Sequence, residues 1–275
     1  MIKEKSQELD MVISEIEDSF GEGSIMRLGG DRVNKETETI PTGISSIDNA
    51  TGIGGFPKGR IVEIIGPEAS GKTTITLSVA KQIQKRGGVV SFIIARDDFD
   101  LNWAKALGAN TEELLLSQPD TREDFIKIAN QLSNSRKVDL IVVDSLHDLE
   151  TTNGIESESD VIIQETEERQ LICSIRELAD SVTKSMATVI FTNDERMRIG
   201  YLEVTPFKIA MKAYSSMRVK LRTVDGIKKG EEIVGRKVRS KIFKNRFAPP
   251  FREAEFCIYH GKGISMCNEM PLVHY

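Results

Sequence analysis

Apolar residues recur along the chain at two different spacings. Between residues 7 and 20, QELDMVISEIEDSF sets Leu9, Val12, Ile13, Ile16 and Phe20 on one side of a helix, a single apolar stripe on an otherwise polar rod. Gly21 and Gly23 stop that helix, and SIMRL reads as a short strand before a polar stretch from Gly29 to Glu38. A helix and strand so isolated have little of their own to pack against. They lie either on the parent domain or on a neighbouring copy of the chain. From Ile61 the pattern alternates: IVEII is a strand, Lys72 to Arg86 a helix, VVSFII a strand, Asn102 to Leu107 a helical start, and LLLSQ a strand. Glu123 to Ser133 is a helix, DLIVVD a strand, ERQLICSIRELADSVTK a helix and TVIFTN another strand. Apolar strands separated by helices predict an α/β fold with a mostly parallel central sheet covered on both faces. Beyond Met217 the runs MRVKLRTV, EIVGRKVRSKIFKN and AEFCIYH are β-rich, and no internal repeat or low-complexity segment interrupts them.

With 275 residues, 39% of them hydrophobic, the chain is long enough to bury one large core. Its longest apolar stretches, such as Leu140 to Val143, are short and fenced by charge, and MIKEKSQELD lacks the apolar core of a leader, so a cytoplasmic protein without a membrane partner is expected. Cys173, Cys257 and Cys267 have no metal-ligand spacing, and His147, His260 and His274 are scattered; reduced thiols and no zinc are expected. The formal net charge is −5, but from Arg196 to Arg246 fifteen Lys and Arg stand against only Glu203, Asp225, Glu231 and Glu232. Such a segment fits a polyanion, or a solvated basic face balanced by acids elsewhere.

The chemistry concentrates at GPEASGKT, Gly66 to Thr73, which matches G-x-x-x-x-G-K-[ST] between a strand and a helix. In such a loop, backbone N–H groups wrap phosphates, Lys72 reaches the outer ones, and Thr73 can hold Mg²⁺. The partner expected of it is an acid at the end of an apolar strand, positioning the metal through water, and LIVVDS supplies Asp144 there.

Taken together, SFGEGSIMRLGG, TGISSIDNATGIGGFPKGRIVEIIGPEASGKTT, LLLSQPDT, VDLIVVDSL and GRKVRSKIFKNRFAPPFREAEFCIYHGKGI resemble the bacterial RecA recombinase family almost end to end. The resemblance implies an N-terminal polymerisation helix and strand, residues 1–35, that dock on the next protomer. It implies a RecA-type ATP-binding core over residues 36–275 with DNA-binding loops near 151–170 and 196–212, assembled as a helical filament on single-stranded DNA. Position by position it assigns Gly66, Pro67, Glu68, Ala69, Ser70, Gly71, Lys72, Thr73 and Thr74 to the phosphates of ATP, and Thr73 and Asp144 to Mg²⁺. Asp100 and Trp103 fall at the adenine, and Gly261 is a further residue assigned to the nucleotide. Lys244 and Arg246 fall where the family has two lysines that reach the neighbour's ATP, and Arg in place of Lys keeps the charge but changes the geometry. Arg169, Arg176, Arg196, Arg198, Lys208 and Lys212 are the cations the resemblance offers to DNA.

Several family positions are substituted. Arg96 stands where the family carries the glutamate that activates water, and a guanidinium cannot accept a proton near neutral pH. Asp97, one residue on, is the nearest substitute, although neighbouring strand-end side chains diverge. Asp194 replaces the glutamine that senses the γ-phosphate, putting a carboxylate where an amide would donate. Ala213 stands where the family inserts an interface phenylalanine into its neighbour. Within 151–170, Glu156, Glu158, Asp160, Glu165, Glu167 and Glu168 face a single Arg169, poor material for meeting phosphates. The second loop is shorter than the family's, and its Tyr201 and Phe207 suit either base stacking or ordinary packing. The chain stops at PLVHY, so the family's C-terminal regulatory domain is expected to be absent.

Two functions fit. One is a RecA-like ATP-binding recombination and repair protein that forms filaments on single-stranded DNA with weak or absent hydrolysis, since the ATP-bound filament is the active state and hydrolysis mainly releases it. The other is a catalytically degenerate paralogue that joins or caps a RecA filament and modulates repair or the damage response.

Overall fold

A computed structural model describes residues 2–21, 24–25, 37–95, 99–145, 158–195 and 206–265 of the chain. It divides into two compact units, Met1–Thr37 and Glu38–Tyr275. The first contains helix α1 (Ile2–Phe20), which exposes Leu9, Val12 and Phe20 and closes where the N–H of Gly21 donates to the carbonyl of Glu17 at 2.8 Å. The strand expected at SIMRL falls mostly outside the described residues.

The second unit runs β1 (Thr39–Ile40), α2 (Ser45–Thr51), β2 (Phe56–Pro57), β3 (Ile61–Gly66), α3 (Lys72–Gln84), β4 (Val90–Ile94), α4 (Leu101–Leu107), β5 (Leu115–Ser117) and α5 (Arg122–Asn134). It continues through β6 (Leu140–Asp144), α6 (Glu158–Ser185), β7 (Thr188–Asp194), α7 (Pro206–Tyr214), β8 (Met217–Lys229), β9 (Glu232–Asn245), β10 (Glu253–Tyr259) and β11 (Gly263–Ser265). Nine strands form one sheet in the order β11-β10-β9-β8-β3-β7-β6-β4-β5. The strands from β8 to β5 in that order pair in parallel, whereas β9, β10 and β11 fold back as an antiparallel extension. This mostly parallel sheet flanked by helices is the α/β fold read from the alternation.

Burial explains the pattern. In β3, β4 and β6 nearly every residue is buried, because helices cover both faces of a parallel sheet and successive side chains point to opposite layers. One layer joins Val62, Ile64, Phe92, Val142, Ile190 and Phe256 to α2, α3 and α4. The other joins Ile61, Ile141, Val143, Val189 and Phe191 to Phe125 of α5, Leu171, Ile175 and Leu178 of α6, and Met211 of α7. The helix read from residue 168 begins ten residues earlier, at Glu158. Consequently the C-terminal part of the supposed loop 151–170 is helix, as is the end of the loop 196–212, where α7 begins at Pro206.

Candidate nucleotide-binding site

Parallel pairing brings the carboxyl ends of β3, β4, β6 and β7 to one edge, where ligands of such sheets bind. Register then sets neighbours: Gly66 pairs with Asp194 and Ile94 with Asp144. Between β3 and α3 the loop turns through two left-handed residues, Ala69 at φ 56° and Gly71 at φ 96°. Gly71 is required twice over, since a Cβ there would also sit 2.5 Å from Cδ1 of Ile258. The opening turn of α3 leaves amides without intrahelical partners, a natural seat for phosphate.

A cavity of about 290 Å³ opens over this loop, lined among others by Ala69, Gly71, Lys72, Thr73 and Thr74 and by Leu77, Phe99, Asp100 and Trp103. Its lining combines polar and cationic side chains with aromatic rings. Trp103 is half-buried and its indole N–H donates to Oγ1 of Thr74 at 3.2 Å, which fixes the ring beside the start of α3. Asp100 caps α4, one carboxylate oxygen accepting the backbone N–H of Trp103 at 2.9 Å. The fit to a phosphate-bearing nucleotide is supported by a buried polar atom of the cavity wall without a protein partner, Nε of Arg236.

At the centre, Oγ1 of Thr73 donates to Asp144 at 2.8 Å and the hydroxyl of Thr192 donates to the other carboxylate oxygen. Burial pushes the Asp144 carboxyl up from its ordinary range, against the opposing pull of the two hydroxyls and of Lys72. The Thr73 hydroxyl spends its proton on Asp144 and keeps its lone pairs for a cation. No group of three or more His, Cys, Asp or Glu converges among the described residues, so a metal here would depend on Thr73, water and phosphate oxygens, the donor set that suits Mg²⁺.

Lys72 is already committed. Its ammonium donates to the carbonyls of Gly66 at 3.1 Å and Pro67 at 3.0 Å and to Oδ1 of Asp194 at 2.6 Å, in an ion pair whose side chains are only 10% and 12% exposed. Asp194 is therefore not only a carboxylate facing the site but the direct partner of its lysine. Arg236, which sequence reasoning missed, lies on β9 opposite Ile258 of β10 and donates through Nη1 to the carbonyl of Ala69. Nothing local marked it out from the other cations of its segment; only antiparallel pairing carries β9 across to the phosphate loop.

Other expected site residues lie elsewhere. Pro67, Glu68 and Ser70 belong to the loop without lining the cavity, and Gly261 sits in the left-handed turn between β10 and β11, also outside its wall. Lys244 and Arg246 converge on the end of α7: Nζ of Lys244 donates to the carbonyl of Lys212 at 2.6 Å, and Nη2 of Arg246 to that of Ala213 at 2.9 Å. Arg169 and Arg176 are exposed on α6, two turns apart, and Lys212 is exposed on α7. Arg96, Asp97, Arg196 and Arg198 lie outside the described residues, as does the side chain of Lys208.

The family model described as the RecA N-terminal domain matches residues 7–265. Among curated proteins, the chain is 42% identical over 269 residues to Protein RecA of Geobacter sulfurreducens, covering 96% of this chain and 80% of that one. It is 45% identical over 267 residues to Protein RecA of Bdellovibrio bacteriovorus, covering 95% and 71%. To Protein RecA 2 of Myxococcus xanthus it is 42% identical over 268 residues, covering 96% and 75%.

Proposed function

The chain belongs to the RecA family, and on that premise we propose that it is an ATP-binding recombination and DNA-repair protein that assembles on single-stranded DNA and hydrolyses ATP weakly or not at all. The observation that carries the nucleotide part is the cavity itself, whose wall joins the phosphate loop to Trp103 and Asp100. When bound, ATP would set its phosphates against the loop and the opening turn of α3, where Thr73 would hold Mg²⁺ and Asp144 would position it through water. Trp103 and Phe99 present apolar ring surface to the base.

Weak turnover is supported by two substitutions. Arg96 offers no carboxylate to orient or deprotonate water, and Asp194 answers Lys72 with a charge of its own. Neither change removes the cavity, so binding and turnover separate. DNA contact draws on Arg169, Arg176 and Lys212, with Arg196, Arg198 and Lys208, and a cytoplasmic setting accords with the lack, among the described residues, of any helix long and apolar enough to cross a membrane.

A second reading is favoured by Ala213, which is exposed and offers only a methyl group where the family inserts a phenylalanine. On that reading the chain joins or caps a RecA filament instead of building its own. The test is ATP turnover by the purified protein with and without single-stranded DNA, beside Arg96→Glu and the double variant Arg96→Glu with Asp194→Gln, together with sedimentation on DNA with and without a RecA from one of the similar bacteria. No turnover in the wild type, nucleotide bound, and turnover recovered in a variant is the expected result. DNA-stimulated turnover in the wild type overturns it, and sedimentation only in the presence of the second RecA selects the capping reading.

A further inference from the structure

The cations described in the wall of the nucleotide cavity are Lys72 and Arg236, and they are used differently. An ammonium has three protons, and all three of Lys72 are engaged: two by the loop's own carbonyls and one by Asp194 at 2.6 Å. A phosphate-loop lysine ordinarily holds the outer phosphates of the nucleotide. Here a resident carboxylate already occupies it, and the register that pairs Gly66 with Asp194 holds that carboxylate on the strand beside the loop. A third phosphate must therefore displace Asp194 from a nearly buried ion pair or share Lys72 with it, anion against anion. Phosphates nearer the sugar depend less on Lys72, because loop and helix amides receive them.

Arg236 supplies the compensating charge. Its Nη1 is held by the carbonyl of Ala69, which fixes the guanidinium against the phosphate loop, and its buried Nε has no protein partner. A guanidinium so placed suits a phosphate oxygen in a site whose lysine is taken.

We propose that Asp194 and Arg236 make this pocket a receptor for nucleoside diphosphates at least as much as for triphosphates: Asp194 stands in for the third phosphate on Lys72, and Arg236 binds the phosphates that both nucleotides share. The inference rests on the nucleotide reading and goes beyond it, because it states which nucleotide state the protein prefers.

The experiment is equilibrium binding of ADP and of a non-hydrolysable ATP analogue, each with Mg²⁺, followed by the fluorescence of Trp103 and by calorimetry, on the wild type, Asp194→Asn and Arg236→Gln. In the wild type the two dissociation constants are expected to agree within about three-fold, or to favour ADP. Asp194→Asn is expected to tighten the triphosphate by about ten-fold or more and to leave ADP within about three-fold, and Arg236→Gln to weaken both by about ten-fold with their ratio unchanged. A wild type that binds the triphosphate more than about ten-fold tighter than ADP overturns the inference while leaving the nucleotide reading intact, and does so without any variant. An unchanged ratio in Asp194→Asn, or undiminished binding in Arg236→Gln, overturns the corresponding part. Binding of neither nucleotide by a folded wild type overturns the nucleotide reading itself.

Discussion

Glu63 shows how much a single buried charge depends on its surroundings. It is 1% exposed in the middle of β3, and it survives there because Arg218 of β8 donates to one carboxylate oxygen and Nδ2 of Asn193 to the other at 2.6 Å. The Arg218 guanidinium also lies 4.6 Å from the ring centre of Phe243. Arg218→Ala strands the carboxylate, and chemical denaturation is expected to show a loss of about 3–5 kcal/mol. Glu63→Gln combined with Arg218→Met should recover most of that loss; an additive loss in the double variant would show that the pair itself was not responsible. Lys244 makes a pH-dependent case. Burial, then the charges of Arg246 and Arg218, bring its pKa from an ordinary 10.5 down to about 8. Between those two values the unfolded chain holds a proton that the folded chain has released, so this residue makes stability rise with pH across that window. Measured against Lys244→Met, the wild type is expected to gain in relative stability between about pH 7.5 and about pH 10, and a constant difference would refute the assignment.

At the scale of elements, α3 depends on the turn that precedes it. Gly71→Ala places a side chain at φ 96° and a methyl 2.5 Å from Ile258, so the loop must shift. The expected outcome is a loss of about 1–2 kcal/mol in stability with a larger effect on nucleotide affinity, at least about ten-fold, read by calorimetry on the folded variant. Retained affinity would show that the loop tolerates another path. Helix α7 is held at its C-terminal end, where Lys244 of β9 and Arg246, just past that strand, meet the carbonyls of its last turn and cations are favoured. The antiparallel extension also changes the meaning of the basic segment. Arg239 and Lys237 pair with Glu255, Lys241 with Glu253, and Lys220 with Glu195. Part of its positive excess is thus balanced across strands, and the local count overstated what is left for a polyanion.

For the molecule as a whole, the exposed apolar stripe of α1 is the surface on which the proposed assembly is tested. With Leu9, Val12 and Phe20 at the surface of their own unit, the combined substitution Leu9→Asp and Phe20→Asp is expected to abolish self-association on single-stranded DNA by light scattering. Nucleotide affinity should stay within about two-fold, as for surface changes remote from a site; unimpaired assembly would sink the proposed role of α1. Most of the fold was legible in advance because the strands of a covered parallel sheet are continuous apolar runs and their helices carry one apolar face. Short elements such as α2 (Ser45–Thr51) and the edge strand β11 were not, having too few residues to express a period. The phosphate loop and Asp144 could be read because their chemistry is local: one turn, one helix start, one strand end. The pairing of Lys72 with Asp194, 122 positions apart, and the contact of Arg236 with the loop, 167 positions away, were decided only by the tertiary structure. Strand order and register, not any pattern within a segment, determine which charged side chain meets which.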